Sequence, residues 1–230
     1  MKNSPLQNAI LRTVKDKSVV LQNVIDNTTF TFDELKVVLK EIVAFYNSQI
    51  ELNDKRISFE FIDKGNFVVE LRVASDVLVF YMHTNTFEFD RSHKIWEEEY
   101  IKNEVSSSYC GIINIYNFLN DSFKYNRLDD LGYLIARIFI NKENHFFVEG
   151  KRQRGMGVAS FHKSEIERKS LRKIVETAIS YALEFDLLVP PYDDMKIVSL
   201  EQMADEINNS NVRTGKRLGF NYKTDDIDEK

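Results

Sequence analysis

Two carboxylates and a lysine are the first residues whose types and spacing could do chemistry. Asp130, with Asp129 beside it, lies upstream of Glu149-Gly150-Lys151. Carboxylates are hard oxygen donors, and two of them converging at about 2.0–2.6 Å would hold a divalent cation. A lysine close by would then face the scissile phosphate of a metal-assisted displacement. These residues flank or end the stretch 132–153, GYLIARIFINKENHFFVEGKRQ. Its apolar runs on either side of Asn141–Asn144 predict strand, turn and strand.

Asp130, followed by Glu149-x-Lys151 on the next strand, resembles the signature of the PD-(D/E)xK nuclease superfamily over residues 130–151. The resemblance implies a divalent-metal-dependent nuclease, with Asp130 and Glu149 on the metal and Lys151 at the phosphate. Register weighs against that reading. A turn at Asn141–Asn144 pairs Ile140 with His145, Ile138 with Phe147, Ala136 with Glu149 and Leu134 with Lys151. The superfamily's acid belongs beside the Glu, and there the sequence carries Ala136. Asp130 is six residues further along, on the order of 20 Å at about 3.3 Å per residue. Glu149 and Lys151 then read as same-face neighbours near a strand end. No catalytic residue is assigned, and Asp130, Glu149 and Lys151 stand as the alternative set.

A second chemistry is anion binding. Residues 149–175 carry a net charge of +5 and the rest of the chain −10. Lys151, Arg152 and Arg154 lead into Gly155 and Gly157, which permit unusual backbone angles. Ser164, followed by Glu167, predicts a capped helix start with free N–H groups. Lys151, Arg152, Arg154, Gly155 and Gly157 together would suit a phosphate or another small anion. Neither G-x-x-x-x-G-K-[ST] nor G-x-G-x-x-G occurs, so a nucleotide motif is lacking. Arg168, Lys169, Arg172 and Lys173 read as the solvated face of the helix that follows.

His83, Glu88, Asp90 and His93 bring metal-ligand types within eleven residues. A two-residue loop at Thr84-Asn85 would pair His83 with Thr86, Tyr81 with Glu88 and Val79 with Asp90. His83 and Asp90 then share a face but sit about four residues apart along the sheet, too far for one ion. His145 and His162 have no ligand partner at recognisable spacing. No metal site and no cofactor are expected. Cys110 is the only cysteine; beside an apolar run it reads as a buried core thiol. Nucleophile-elbow, zincin and kinase signatures are missing.

The elements that must position these residues can be read from periodicity. Leu6, Ile10, Val14, Leu21 and Ile25 predict a helix over 5–26, interrupted by polar KDKS. Thr31 and Glu34 form a capping-box pattern ahead of Leu35, Val38, Leu39, Ile42, Phe45 and Tyr46, which predicts a helix over 32–48. Alternating residues over 56–90 then predict a four-stranded antiparallel β-meander. A charged connection, 91–108, is anchored by Trp96. A second β block covers 109–153. A final long helix over 164–187 buries Ile166, Leu171, Ile174, Val175, Ala178, Ile179 and Ala182 and stops before Pro190-Pro191. A short helix follows at 199–207. The expected fold is α+β, an antiparallel sheet packed against helices at 32–48 and 164–187, in one domain over 1–207. Residues 208–230 read as a polar, mobile tail.

A net charge of −5 argues against general nucleic-acid binding. The first fifteen residues hold no apolar signal core, and no run of about 18 apolar residues occurs, so a cytoplasmic protein is expected without a membrane span. Abundant Asn, Lys, Ile and Phe fit an AT-rich bacterial genome. The sequence supports best a binding or regulatory module that takes a small anion or a protein partner near 151–157, or a protein on an aromatic sheet face. The alternatives are the nuclease-like reading and a structural homo-oligomer that uses a sheet edge or the long helix.

Overall fold

Seven strands build one antiparallel sheet. They are β1 (Phe59–Asp63), β2 (Val68–Val73), β3 (Asp76–Met82), β4 (Phe87–Glu88), β5 (Tyr109–Leu119), β6 (Tyr133–Asn141) and β7 (Phe146–Gly150). The computed structural model describes residues 4–50, 57–128, 130–151, 161, 165–184 and 199–200. The sheet order is β1-β2-β3-β5-β6-β7, with β4 also paired to β5. The two β blocks are therefore one sheet, joined where β3 runs against β5 from Asp76↔Leu119 to Met82↔Ile113. With the helices packed on it, the architecture is the expected α+β.

Two pairings differ from expectation. β4 does not fold back on β3. Phe87 and Glu88 instead pair with Cys110 and Tyr109, and the His83 N–H donates to the Ile112 carbonyl at 2.9 Å. Residues 83–86 are thus a jog, and β4 continues along the β5 edge that β3 began. Thr84-Asn85 lacks the glycine that a two-residue primed turn favours, while the long β5 still has unpaired backbone to offer.

The β6–β7 register differs from expectation by one residue. Arg137 pairs with Glu149, and Ala136 with Gly150. The loop holds three residues rather than four. Asn144 takes φ 60°, and the Asn141 side-chain oxygen accepts the N–H groups of Glu143 and His145, both at 3.0 Å. Asn141 thereby acts as strand residue and turn builder at once, which local pattern alone does not reveal. A slip of one residue exchanges the faces of every cross-strand pair.

The helices also merge. α1 (Pro5–Thr13), a five-residue π turn (Val14–Ser18) and α2 (Val19–Gln49) follow without a break. The expected cap at Thr31 lies inside α2 and is buried. No Gly or Pro interrupts residues 26–31. The neighbouring Thr28 hydroxyl is satisfied within the helix by donating to the Val24 carbonyl at 2.6 Å. The cap in use is at Ser4, reciprocated by Gln7. The last described long helix is α5 (Arg168–Leu183), which starts after Glu167 as N-cap. Ser164 and residues 185–198 lie outside the described residues, as do 201–230 and with them the expected tail. Two short helices, α3 (Glu99–Asn103) and α4 (Asn120–Lys124), complete the set.

α2 and α5 cover one face of the sheet. Leu35, Leu39 and Ile42 of α2, and the expected stripe of α5, meet Val69, Leu71, Phe80, Ile113, Ile115, Ile138, Ile140, Phe146 and Val148. Each such side chain contributes about 1.5–3 kcal/mol on full burial. Gly111 lets α2 come close, since a Cβ there would stand 2.0 Å from the Thr28 hydroxyl oxygen. Among the described residues no helix is long and apolar enough to cross a membrane.

Candidate functional site

Strand alternation sends the remaining side chains to the second face, which has two unlike ends. At one end, residues 87–108 fold over it. Ile95, Ile101, Cys110, Phe139, Phe147 and Phe161 are buried there, and Phe87, Phe89, Trp96 and Tyr100 pack against them. The Phe139 and Phe147 rings stack at 4.6 Å. Trp96 holds the connection down as expected, its indole N–H donating to the Asp90 carbonyl at 2.8 Å. Cys110 is buried in this cluster, and burial pushes its thiol pKa up, so it is a packing residue and not a ready thiolate.

A polar clasp closes this end. Asn27 of α2 donates to the carbonyls of Asn141 and Lys142 at 3.1 and 2.9 Å. The Asn141 amide donates to the Tyr100 hydroxyl at 2.9 Å, and that hydroxyl donates to Glu143. Burial, with the Glu143 carboxylate second, pushes the Tyr100 pKa to about 12, so the phenol stays protonated as a donor.

Away from this lid the face is partly open, as far as Val77, which is buried beside Phe118 where that ring meets Phe123 of α4. The registers set Val68, Tyr81, Asn114, Arg137 and Glu149 in one row across β2, β3, β5, β6 and β7. Beside that row run Val79, Tyr116 and Leu134, of which Leu134 is 41% exposed and the others half-buried. α2 and α5 pack on β1–β3 from the first face. Each strand's alternation shows that these residues leave the core. Their alignment into a row depends on strand order and register, which the sequence reading lacked.

The sequence-derived site residues fall in different places. Glu149 faces Arg137, whose Nε lies 2.8 Å from a carboxylate oxygen and whose guanidinium is 5.4 Å from the Phe139 ring. Their side chains are 40% and 47% exposed, so the pair is solvated and weak. Gly150 is needed for packing, because a Cβ there would meet the Ile135 carbonyl oxygen at 2.3 Å. The Lys151 N–H donates to that same carbonyl at 2.9 Å and ends the strand. Asp130 belongs to the connection between α4 and β6. There it accepts the Ser122 hydroxyl at 2.6 Å and lies 2.9 Å from Arg127 Nε, with both charged side chains nearly fully buried. Asp130 and Glu149 thus serve different arginines on different segments. Asp129, Arg152, Arg154, Gly155 and Gly157 lie outside the described residues, so of the expected anion site Lys151 alone is described.

The histidine-carboxylate group is used locally. His83 Nδ1 accepts the Asn85 N–H at 3.1 Å, and His93 Nδ1 accepts the Ile95 N–H at 3.2 Å. Asp90 takes the Ser92 hydroxyl and N–H, and Glu88 pairs with Arg91. Among the described residues no three His, Cys, Asp or Glu side chains gather as a metal site. Arg168 and Arg172 lie on the solvent-accessible helix face, as expected, and also tie α5 to α2. Arg168 binds Glu34 and lies 3.8 Å from Glu41, and Arg172 lies 3.9 Å from Glu41. The Arg168 hydrogen bond holds the Glu34 carboxyl below its usual range. A cavity of about 40 Å³ beside Gly111, lined in part by Thr28, Met82 and His83, has room for a few waters and no organic ligand.

Family models, curated proteins and solved structures contain no match to this chain.

Proposed function

We propose that the chain is a non-catalytic binding module that docks a protein partner on the open part of the second sheet face, near Lys151, from which the basic residues Arg152 and Arg154 follow in sequence. The observation that carries this reading is the row Tyr81–Asn114–Arg137–Glu149, flanked by Tyr116 and Leu134. Tyr and Arg beside partly exposed aliphatic groups are the composition of interface centres. The row's cation and anion neutralise each other, which favours a mixed apolar and polar protein surface over a polyanion.

The test is site-directed photocrosslinking in the producing cell. A photoreactive phenylalanine analogue replacing Tyr81 or Tyr116 should give a discrete protein adduct. The same analogue replacing Lys40, on the exposed side of α2, should give none. Arg137→Glu should abolish the Tyr81 adduct while leaving thermal unfolding near wild type. Equal labelling from Lys40, or no adduct at all, would overturn the reading. Calorimetry with inorganic phosphate, comparing wild type with Arg152→Ala/Arg154→Ala, distinguishes a small-anion module. Binding lost only in that variant would move the function from the sheet face to the basic segment.

A further inference from the structure

β1 is an edge of the sheet, and its outward backbone is where a further strand would add. Which groups point outward follows from the ladder. The Lys64 N–H donates to the Val68 carbonyl at 3.1 Å. Bonded and unbonded pairs alternate in an antiparallel ladder, so Ile62–Glu70 and Glu60–Arg72 are bonded pairs. Phe59, Phe61 and Asp63 therefore turn their N–H and C=O groups away from β2. Such a row of outward groups is a template on which another chain pairs.

α2 meets this edge with one row of side chains. Lys36, Lys40 and Asn47 follow at intervals of four and seven, which is one side of a helix. They reach Asp63, Phe61 and Phe59 in turn, so helix and strand run in opposite senses. Asn47 makes both bonds that a strand residue would make. Its Nδ2 donates to the Phe59 carbonyl at 2.8 Å, and its Oδ1 accepts the Phe59 N–H at 2.9 Å. The Tyr46 ring, stacked on Phe59 at 4.9 Å, fixes the helix end there. At the other end of the edge, Lys36 Nζ donates to the Asp63 carboxylate at 3.1 Å and to the Gly65 carbonyl at 2.7 Å. Between them Lys40 Nζ lies 5.1 Å from the centre of the Phe61 ring. The outward backbone groups of Phe61 and Asp63 have no partner among the described residues. A side chain that only anchored the α2–β1 connection needs one of the two Asn47 bonds. Holding both leaves Phe59 nothing to offer an incoming strand.

We propose that Asn47 guards the β1 edge: its amide takes the place of a strand residue at Phe59 and keeps the β1 of a second copy from adding there. Two β1 strands pairing antiparallel about Phe61 would set Phe59 of each copy against Asp63 of the other. Their bonded pairs would be Phe59–Asp63, Phe61–Phe61 and Asp63–Phe59. With Asn47 in place in both copies the two outer pairs cannot form, and only Phe61–Phe61 remains. A slip that pairs Phe61 with Asp63 avoids Asn47, but it sets Lys40 of one copy beside Lys36 of the other. Lysines along an edge strand oppose such pairing. The guard acts on the edge of the sheet and is independent of docking on its second face.

Amide hydrogen exchange followed by NMR tests this first on the unmodified chain. The Phe59 N–H should exchange at least about tenfold more slowly than the Phe61 N–H, the worth of about one hydrogen bond. Asn47→Ala should remove that difference in dilute solution. On concentration, light scattering should show Asn47→Ala associating at least about tenfold more tightly than wild type, because each copy regains the two edge bonds at Phe59. The Phe61 N–H should become protected at the same time. Asn47→Asp still accepts the Phe59 N–H but cannot donate to its carbonyl, and should fall between. Circular dichroism reports whether each variant is folded, and if Asn47→Ala is not, the same measurements on Asn47→Asp decide. A Phe59 N–H that exchanges as fast as that of Phe61 would overturn the proposal. So would a folded variant whose mass follows the wild type at every concentration, or one that associates while its Phe61 N–H stays unprotected.

Discussion

The two faces of the sheet are built from the same strands and by the same alternation, yet they are made of different material. The first face is apolar, mostly aliphatic with Phe80 and Phe146 among it, and closed by α2 and α5; Ile113, Ile138, Ile140 and Val148 on it are fully buried. The second is aromatic at its closed end and mixed at its open one, where Tyr81, Asn114 and Arg137 keep contact with water. Helices suit the first face because two amphipathic stripes can be laid along its continuous apolar surface. The closed part of the second is covered by a short irregular connection that contributes single anchors, Ile95, Trp96 and Ile101. Stability should therefore be concentrated on the first face, and recognition left to the second.

The largest effect that would sharpen this contrast comes from truncation. Ile138→Ala should cost about 2–5 kcal/mol in urea unfolding, from lost burial and the cavity left behind. Tyr81→Ala, on the second face, should cost clearly less, because its side chain is already half in water. Equal costs would mean that the second face is as much a core as the first.

A smaller effect is expected for the pair Arg137–Glu149. A double-mutant cycle with Arg137→Ala and Glu149→Ala should give a coupling of no more than about 1 kcal/mol, falling further in high salt. A coupling well above that would show the pair to be desolvated, and the open end to be covered.

The smallest effect concerns the rim of the first face. The Gly65 N–H, and after it Lys36 from α2, hold the Asp63 carboxyl below the usual range. A carboxyl whose pKa is depressed by folding adds stability that is complete above the unfolded value, about pH 4, and disappears as pH falls through the folded value. Carboxyl-detected NMR titration should place Asp63 below a model aspartate. Lys36→Ala should raise it part of the way and no more, because the Gly65 contact remains. A full return to the ordinary value would assign the whole shift to the lysine.

Much of the first face was legible in the sequence and little of the second. Leu35, Val38, Leu39 and Ile42, and the stripe from Leu171 to Ala182, could be read from helical spacing, and all are buried. Helical spacing repeats within one segment, so a single stretch contains the whole signal. The row on the second face draws on five strands, and each member is an ordinary partly polar position on its own. Within the motif that looked most like chemistry, Gly150 makes a close approach to Ile135, and Glu149 forms a solvated pair with Arg137.

The sequence by itself determined the period of each segment, the burial of Cys110, the α+β class and the side of each strand that leaves the core. The tertiary structure alone decided which strands meet, that β3 and β4 share the edge of β5, and that Arg137 rather than Ala136 stands opposite Glu149. The physical reason is one of range. Side-chain alternation is a property of the local backbone, whereas register depends on how many residues a turn consumes. In this chain Asn141, by bonding its own turn, changed that number by one.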